Sequence, residues 1–501
     1  MKNKVVLINP DLPQKPTQFN IPISLLYLGT WLSHSGYDVN ILDAYNHKMD
    51  MYHRLREESW DEVLAVGMGV MTAQIASAVE LSRFVASLAP DVPVIWGGVH
   101  PTLYPEQVVE SDYVDFAVLG EGEITTAVLL KVLQISDENH FDQIDGIAYQ
   151  GLGRRVIVTP DRAPMDVDTL LRPKLELLED VRDVGDIRTV MKQVQKGLPL
   201  LTSRGCPHRC TFCINSITSQ KYRFRRADLV VQDLIDLLDQ GITEVCFVDE
   251  DFLANKPRLV EILDGVERHG LKFKWFGTAR ADYFGQKRID RRLLERLARS
   301  GCTQLGMGLE SGSQRVLDMI KKDITIKDSL EAARLLDSAG ISATFSFMSG
   351  LPNETAREIN ATAQLIAQLT CMNSTFRILP NVYRPYAGSE LYNQCLVLGM
   401  QEPETLEDWA DNPYMKGDTI KPSDYPLFPW IQYPIGKLLK LNFYCWMAGL
   451  RTKGPGLTWL ARKIGAWRLR HLCFALPIEM KLLNLFRKLN LERKMGRGKF
   501  N

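Results

Sequence analysis

Short apolar runs and amphipathic stretches alternate along most of the chain. In the first third, runs at 5–9, 39–43, 63–69, 94–98 and 116–119 are short and mostly apolar, as strands buried on both faces are. Helical periods lie between most of them, such as 23–35, stopped by Gly36, and 72–88. This alternation predicts an open, doubly wound α/β domain. A second alternation begins near Pro199, with strands at 200–203, 244–249, 272–278, 304–310, 342–349 and 375–381. Helices at 229–239, 258–268, 291–299, 329–338 and 356–369 fill its gaps. Six β/α units predict a partial TIM-type barrel, with its chemistry at the carboxyl ends of the strands. A hairpin, 146–150 and 155–159, and a polar connector join the two. The expected division is 1–140 for the first domain, 141–195 for hairpin and connector, 196–400 for the barrel and 401–501 for a mostly helical C-terminal region.

At 501 residues the chain is too long for one core. Its 60 basic and 60 acidic residues balance, so nothing global suits nucleic acid. Of nine cysteines, Cys246, Cys302, Cys371, Cys395, Cys445 and Cys473 are scattered without a pairing pattern, which predicts a reducing cytoplasm. Residues 2–10 read as a strand entering a loop rather than a signal peptide, and no apolar run is long enough to span a bilayer. Charge is uneven near the end: 431–501 holds 15 Lys and Arg against Glu479 and Glu492. An acidic stretch with two prolines, 401–418, precedes it, so a linker or domain edge is expected near 399–413.

The most specific chemistry is Arg204-Gly205-Cys206-Pro207-His208-Arg209-Cys210-Thr211-Phe212-Cys213, just after the first barrel strand. Three soft thiolates on one loop suit three irons of a [4Fe–4S] cube and leave the fourth iron open. A zinc knuckle with His208 as fourth ligand is the alternative, but it crowds four ligands into a tight turn. In the first domain the strand ends carry the loops 9–22, Gly67-Met68-Gly69-Val70-Met71-Thr72, Gly97-Gly98-Val99-His100-Pro101 and Gly120-Glu121-Gly122-Glu123. Glycines there let backbone approach a large ligand beyond the sheet.

The C-x3-C-x2-C set, with an aromatic before its last cysteine, resembles the radical S-adenosylmethionine (SAM) enzymes. The Gly-Gly-Val-His-Pro and Gly-Glu-Gly-Glu loops resemble the cobalamin-binding domain of one branch, which contains class B methylases and anaerobic magnesium-protoporphyrin ester cyclase. The resemblance implies a Rossmann-like cobalamin-binding domain, a partial (β/α)6 radical SAM barrel and a mostly helical C-terminal region. It implies three cofactors: SAM, cobalamin and a [4Fe–4S] cluster on Cys206, Cys210 and Cys213.

Carried over residue by residue, Phe212 would pack beside the adenine or the cluster. Asp249 and Glu250 would meet the methionine ammonium and Arg280 its carboxylate. Glu310 would take the ribose hydroxyls, and the Gly350–Pro352 loop the adenine. Asp323 and Glu354 are expected as caps. Asn9, Met68, Thr72, Gly97, Gly98, His100, Gly120 and Glu121 are the expected cobalamin contacts, His100 as a hydrogen-bonding loop residue rather than a metal ligand.

One departure matters. Cobalamin domains of the methionine-synthase type carry D-x-H-x-x-G after the first strand, yet 9–22 holds no His. Asp43 and His47 have the wrong spacing and follow the second strand, so no His of this domain is expected under cobalt. A domain that kept the fold and lost the cofactor is the alternative. The run Arg384-Pro385-Tyr386-Ala387-Gly388-Ser389-Glu390-Leu391-Tyr392 resembles the family's P-x-P-G-T-x-L-Y turn, with Ala387 and Ser389 replacing Pro and Thr.

The implied activity is methylation of an unactivated carbon in a small-molecule substrate. Radical oxidation, cyclisation or rearrangement without methyl transfer is the second reading, and a non-catalytic cobalamin or iron–sulfur sensor the third. An electron donor such as flavodoxin or ferredoxin is the implied partner, with no nucleic acid. No catalytic acid or base is assigned; Tyr383, Tyr386, Tyr444 and Cys445 are the candidates. Trp430, Tyr433, Phe443, Tyr444, Trp446, Trp459, Trp467, Phe474 and Phe486, set among Lys and Arg, suit a helical cap over the barrel. The alternative is a pocket for an apolar substrate or a peripheral membrane surface, and 492–501 suits a basic, poorly ordered tail.

Overall fold

A computed structural model describes residues 2–13, 21–135, 138–184, 197–216, 221–285, 288–412, 428–451 and 456–481. The expected 492–501 tail, Phe486, the end of the polar connector and the middle of the 9–22 loop lie outside the described residues, as does the side chain of His47. The chain forms two compact units, 1–199 with 401–418, and 200–400 with 419–501.

The first unit is built on a seven-stranded sheet of order β2-β1-β3-β4-β5-β6-β7. Its strands are β1 (Lys4–Asn9), β2 (Asp38–Asp43), β3 (Val63–Gly69), β4 (Val94–Gly97), β5 (Phe116–Val118), β6 (Ile147–Gln150) and β7 (Val156–Val158). Val5 to Ile8 are buried, as the unbroken apolar run requires of a central strand covered on both faces. β1 pairs in parallel with β2 and with β3, so the winding direction reverses at β1 and the loops after β1 and β3 open at a switch point. The expected hairpin forms, but as β6 and β7 it extends this sheet antiparallel to β5 instead of standing apart.

The helix Leu406–Asp411 corrects the expected domain edge. It starts on a capping box between Thr405 and Asp408 and belongs to the first unit, not to a C-terminal region running from 401. Trp409 is the physical reason: it is buried, stands edge-on to His100 at 5.3 Å and donates from Nε1 to Gln107 Oε1 at 3.0 Å.

The second unit holds a six-stranded sheet of order β15-β14-β13-β12-β11-β8. Its strands are β8 (Leu198–Leu200), β11 (Glu244–Phe247), β12 (Lys274–Thr278), β13 (Cys302–Glu310), β14 (Ser342–Ser349) and β15 (Arg377–Val382). All six expected strands are present, and β11 through β15 pair in parallel, each with the next. A two-residue pair, β9 (Ser203–Arg204) and β10 (Arg223–Phe224), brackets the cysteine loop.

The helices Ile435–Ala448 and Leu457–Arg470 complete this unit. A Cβ on Gly465 would lie 2.6 Å from the Ala448 nitrogen, so the two helices meet backbone to backbone only because that residue is glycine. Trp430, Tyr433 and Tyr444 are buried, whereas Trp459 and Trp467 are exposed. Among the described residues no helix is long and apolar enough to cross a membrane.

Candidate cofactor site

The cysteine loop is anchored before and after its thiols. Asp249, at the end of β11, is fully buried and accepts three hydrogen bonds of 2.6 Å, from the Thr202 nitrogen, Thr202 Oγ1 and Ser203 Oγ. Its carboxylate is committed to holding the loop entry and has no open face for the methionine ammonium. This reassigns a residue expected to contact SAM. Further along, the Thr211 nitrogen donates to Ile320 O and Thr211 O accepts from the Leu391 nitrogen, both at 3.0 Å.

Cys210 is buried, and Cys206 and Cys213 are half-buried. Burial pushes the Cys206 thiol up to about 11, with Asp251, Cys213 and Cys210 adding to the effect. Such thiols ionise when a metal repays the charge. Among the described residues no three His, Cys, Asp or Glu side chains gather around a single ion position. Three thiolates on separate irons of a cube need not do so. His208, the fourth ligand of the zinc alternative, is engaged elsewhere: its Nε2 lies 2.7 Å from Tyr283 Oη and 3.3 Å from Asp251 Oδ2.

Two cations flank the loop. Arg280 closes β12, pairs with Asp282 at 3.0 Å and donates to the Lys322 carbonyl. Lys322, which no sequence motif singled out, is buried, pairs with Glu310 at 2.9 Å and stands 5.8 Å from the centre of the Phe212 ring. Burial works against the Lys322 charge, but Glu310 and Cys210 outweigh it and hold the ammonium above its usual range. Glu310, expected on the ribose, is thus buried in an ion pair, with its backbone in the left-handed region at φ 61°. Lys321 and Asp323, between the helices Gln314–Met319 and Ile326–Ser338, and Asn353, after β14, share that conformation.

Asp323 is no helix cap; it faces Arg209 at 3.4 Å, and Thr325 caps the next helix. A Cβ on Gly308 would fall 2.0 Å from Glu310 Oε1 and 2.9 Å from Lys322 Nζ. Gly308→Ala is therefore expected to dislodge this pair and lower the thermal stability of the apo chain by about 1–3 kcal/mol, read by thermal unfolding.

Glu250 is exposed and remains accessible to a ligand. Gly350 and Pro352, expected beside adenine, are buried. Gly350 lies under Ile431 and Leu438, and its carbonyl accepts from Trp430 Nε1 at 2.8 Å.

Glu354 is not a cap either; Thr355 and Glu358 form the capping box. Glu354 is buried and accepts from the Gly350 nitrogen at 2.7 Å and from Tyr433 Oη at 3.1 Å. Its Oε1 has no hydrogen-bond partner. Burial pushes this carboxyl from 4.5 up to about 7. A raised carboxyl binds its proton more tightly in the folded chain, so stability is full below the unfolded value and falls as pH rises toward 7. The loss is about 3 kcal/mol above pH 7. Glu354→Gln is expected to flatten the dependence of thermal unfolding between about pH 5 and pH 8.

In the first unit, Asn9 donates to Asp43 Oδ1 at 2.8 Å and accepts from Gln74 Nε2 at 3.1 Å, tying the ends of β1 and β2 to the residues after β3. Gly98 and Gly120 are exposed with φ of 103° and 69°, and a Cβ on Gly98 would meet Val70 O at 3.0 Å while one on Gly120 would meet nothing. Gly97 is half-buried beside Gly98, and Glu121 accepts from the Met165 nitrogen at 2.9 Å.

Met68, Thr72 and His100, expected as cobalamin contacts, are buried. Met68 sits in the core beside Ser82. His100 is held neutral by burial, which lowers its pKa to about 3; its Nδ1 is 3.5 Å from Thr72 Oγ1 and its Nε2 has no partner. The open, glycine-bearing ends of β4 and β5 fit a large ligand, whereas His100 is enclosed by Tyr104 and Trp409.

Of the acid–base candidates, Tyr383, Tyr444 and Cys445 are buried and Tyr386 is exposed. The residues missed were Lys322 and Tyr283, which carried no local signal; Asp251 is the last member of the acidic triple that ends β11 and was expected with it near the methionine ammonium.

Residues 200–366 match the Radical SAM superfamily and residues 15–130 match the B12 binding domain. An uncharacterized methyltransferase of Pyrococcus horikoshii is 28% identical over 381 residues, which is 75% of this chain and 78% of that protein. The anaerobic magnesium-protoporphyrin IX monomethyl ester cyclase of Rubrivivax gelatinosus is 26% identical over 386 residues, 74% of this chain and 66% of that one. In fold, the chain is similar to the radical SAM methyltransferase TsrM of Kitasatospora setae, solved with cobalamin and a [4Fe–4S] cluster bound. The TM-score is 0.64 at 21% identity, over 80% of this chain and 76% of TsrM. The chain therefore carries, in one polypeptide, a radical SAM domain with a B12 binding domain ahead of it.

Proposed function

We propose that the chain methylates an unactivated carbon of a small-molecule substrate, using SAM, cobalamin and a [4Fe–4S] cluster on Cys206, Cys210 and Cys213. The observation that carries this reading is the three-thiol loop, anchored by Asp249 at the strand ends and flanked by Arg280 and Lys322. Bound there, the cluster would supply the electron that cleaves SAM, and cobalamin would supply methyl-transfer chemistry. Arg280 and Lys322 offset thiolate charge, and Glu250 is left to receive a ligand's ammonium group. The substrate is a small molecule, and a flavodoxin- or ferredoxin-type protein delivers the electron. Any peripheral membrane contact would run through Leu457, Trp459, Leu460 and Trp467, which are exposed beside Lys463 and Arg470.

The test is anaerobic. The protein is reconstituted with iron, sulfide and cobalamin, given SAM and a strong reductant, and assayed for 5′-deoxyadenosine and S-adenosylhomocysteine together. Both products, the second dependent on cobalamin, are expected. The likeness to the cyclase of Rubrivivax gelatinosus favours a second reading, radical chemistry without methyl transfer. Deoxyadenosine alone, in the presence of substrate, would establish that reading instead.

A further inference from the structure

Three side chains from three strand-end loops meet beside the cysteine loop. His208 lies within that loop, Asp251 follows β11, and Tyr283 follows β12. Tyr283 Oη donates to Asp251 Oδ2 at 2.6 Å, so its oxygen accepts from His208 Nε2 at 2.7 Å. The hydrogen bonds therefore run one way, from the loop to the carboxylate. Tyr283 and Asp251 are 1% and 2% exposed, and the Arg288 guanidinium lies 4.6 Å from the centre of the Tyr283 ring. Asp251 Oδ1 is buried and has no hydrogen-bond partner. A carboxylate kept under-solvated at this depth is costly, and it acts on neighbouring charge far more strongly than a surface carboxylate does.

We propose that His208 and Tyr283 are positioning residues that brace the Asp251 carboxylate beside the cysteine loop, and that this buried negative charge holds the reduction potential of the cluster low. The inference rests on the cluster reading above. Reduction adds one electron to the cluster, and a fixed negative charge nearby opposes that addition. Asp251 reaches the loop directly, its Oδ2 lying 3.3 Å from His208 Nε2. The hydrogen bond from Tyr283 moderates the carboxylate's charge. Removing the carboxylate charge and removing the hydroxyl therefore push the potential in opposite directions.

The experiment is a potentiometric titration of the reconstituted full-length chain, followed by electron paramagnetic resonance, with iron and sulfide counted in each sample. Asp251→Asn is expected to raise the ratio of reduced to oxidised cluster about tenfold at a fixed potential, which for one electron is about 59 mV. Tyr283→Phe, which keeps the ring, is expected to lower that ratio several-fold. His208→Phe should follow Tyr283→Phe, whereas His208→Gln, which keeps a donor, should stay near wild type.

A merely structural brace would reduce cluster content and leave the potential of the remaining clusters unmoved. That result, or shifts of the same sign in Asp251→Asn and Tyr283→Phe, would overturn the proposal. If Asp251→Asn holds no cluster, Tyr283→Phe decides by whether its potential falls. A wild-type chain that assembles no four-iron cluster would overturn the functional reading itself, and the brace with it.

Discussion

Replacing Cys206, Cys210 and Cys213 together by alanine is expected to remove bound iron and sulfide and to abolish SAM cleavage. The loss of deoxyadenosine should reach about three orders of magnitude or more, about 4 kcal/mol of barrier. Alanine offers no donor, and the nearest alternative ligand, His208, is already bonded to Tyr283. Cys302, Cys395 and Cys445 are buried in the core, where they cannot take over. The apo fold should survive, because backbone bonds of Thr211 to Ile320 and Leu391 hold the loop without the thiols. Thermal unfolding of the apo variant is therefore expected within about 1 kcal/mol of wild type. Undiminished deoxyadenosine formation in a well-folded triple variant would remove the basis of the functional reading.

The second large effect concerns stability. Arg462 is buried, and its guanidinium donates four hydrogen bonds to carbonyl oxygens. Nη1 reaches Phe376 O at 3.1 Å and Leu450 O at 2.8 Å, and Nη2 reaches Thr370 O and Asn373 O, each at 2.8 Å. Thr370 lies in the last turn of the helix Ala356–Met372, and Asn373 is its C-cap, so the cation also meets the negative end of the helix dipole. Burial lowers the guanidinium to about 10, which leaves it charged at neutral pH.

Arg462→Met keeps the stem and leaves those carbonyls unpaired. The expected cost is about 3–5 kcal/mol, read as a lower thermal midpoint of the apo chain. Arg462→Lys should recover only part of this, since one ammonium cannot reproduce the planar fork. A midpoint unchanged in Arg462→Met would show that the helix end is satisfied in some other way.

Much of the framework was legible because it is local. Unbroken apolar runs such as 5–8 and 63–66 marked strands covered on both faces, and the three cysteines lie within eight residues of one another. The less legible part depended on partners distant in the chain. Asp249 and Asp251 are two residues apart in one acidic triple, yet one secures the loop entry and the other faces Tyr283. Glu310 had the position of a ribose ligand, but Lys322 was already its partner. Glu354 had the pattern of a cap and became a buried acceptor for Tyr433, which lies far along the chain.

By itself, then, the sequence determined the two α/β alternations, the thiol loop and its place after the first barrel strand. Periodicity and ligand spacing need only neighbours in the chain to be read. Only the tertiary structure decided that 401–412 packs with the first unit, that His100 is enclosed, and that the C-terminal segment covers Gly350. Those outcomes turn on which distant surface each side chain meets. Burial then sets whether a carboxylate or imidazole is a ligand, a brace or part of the core.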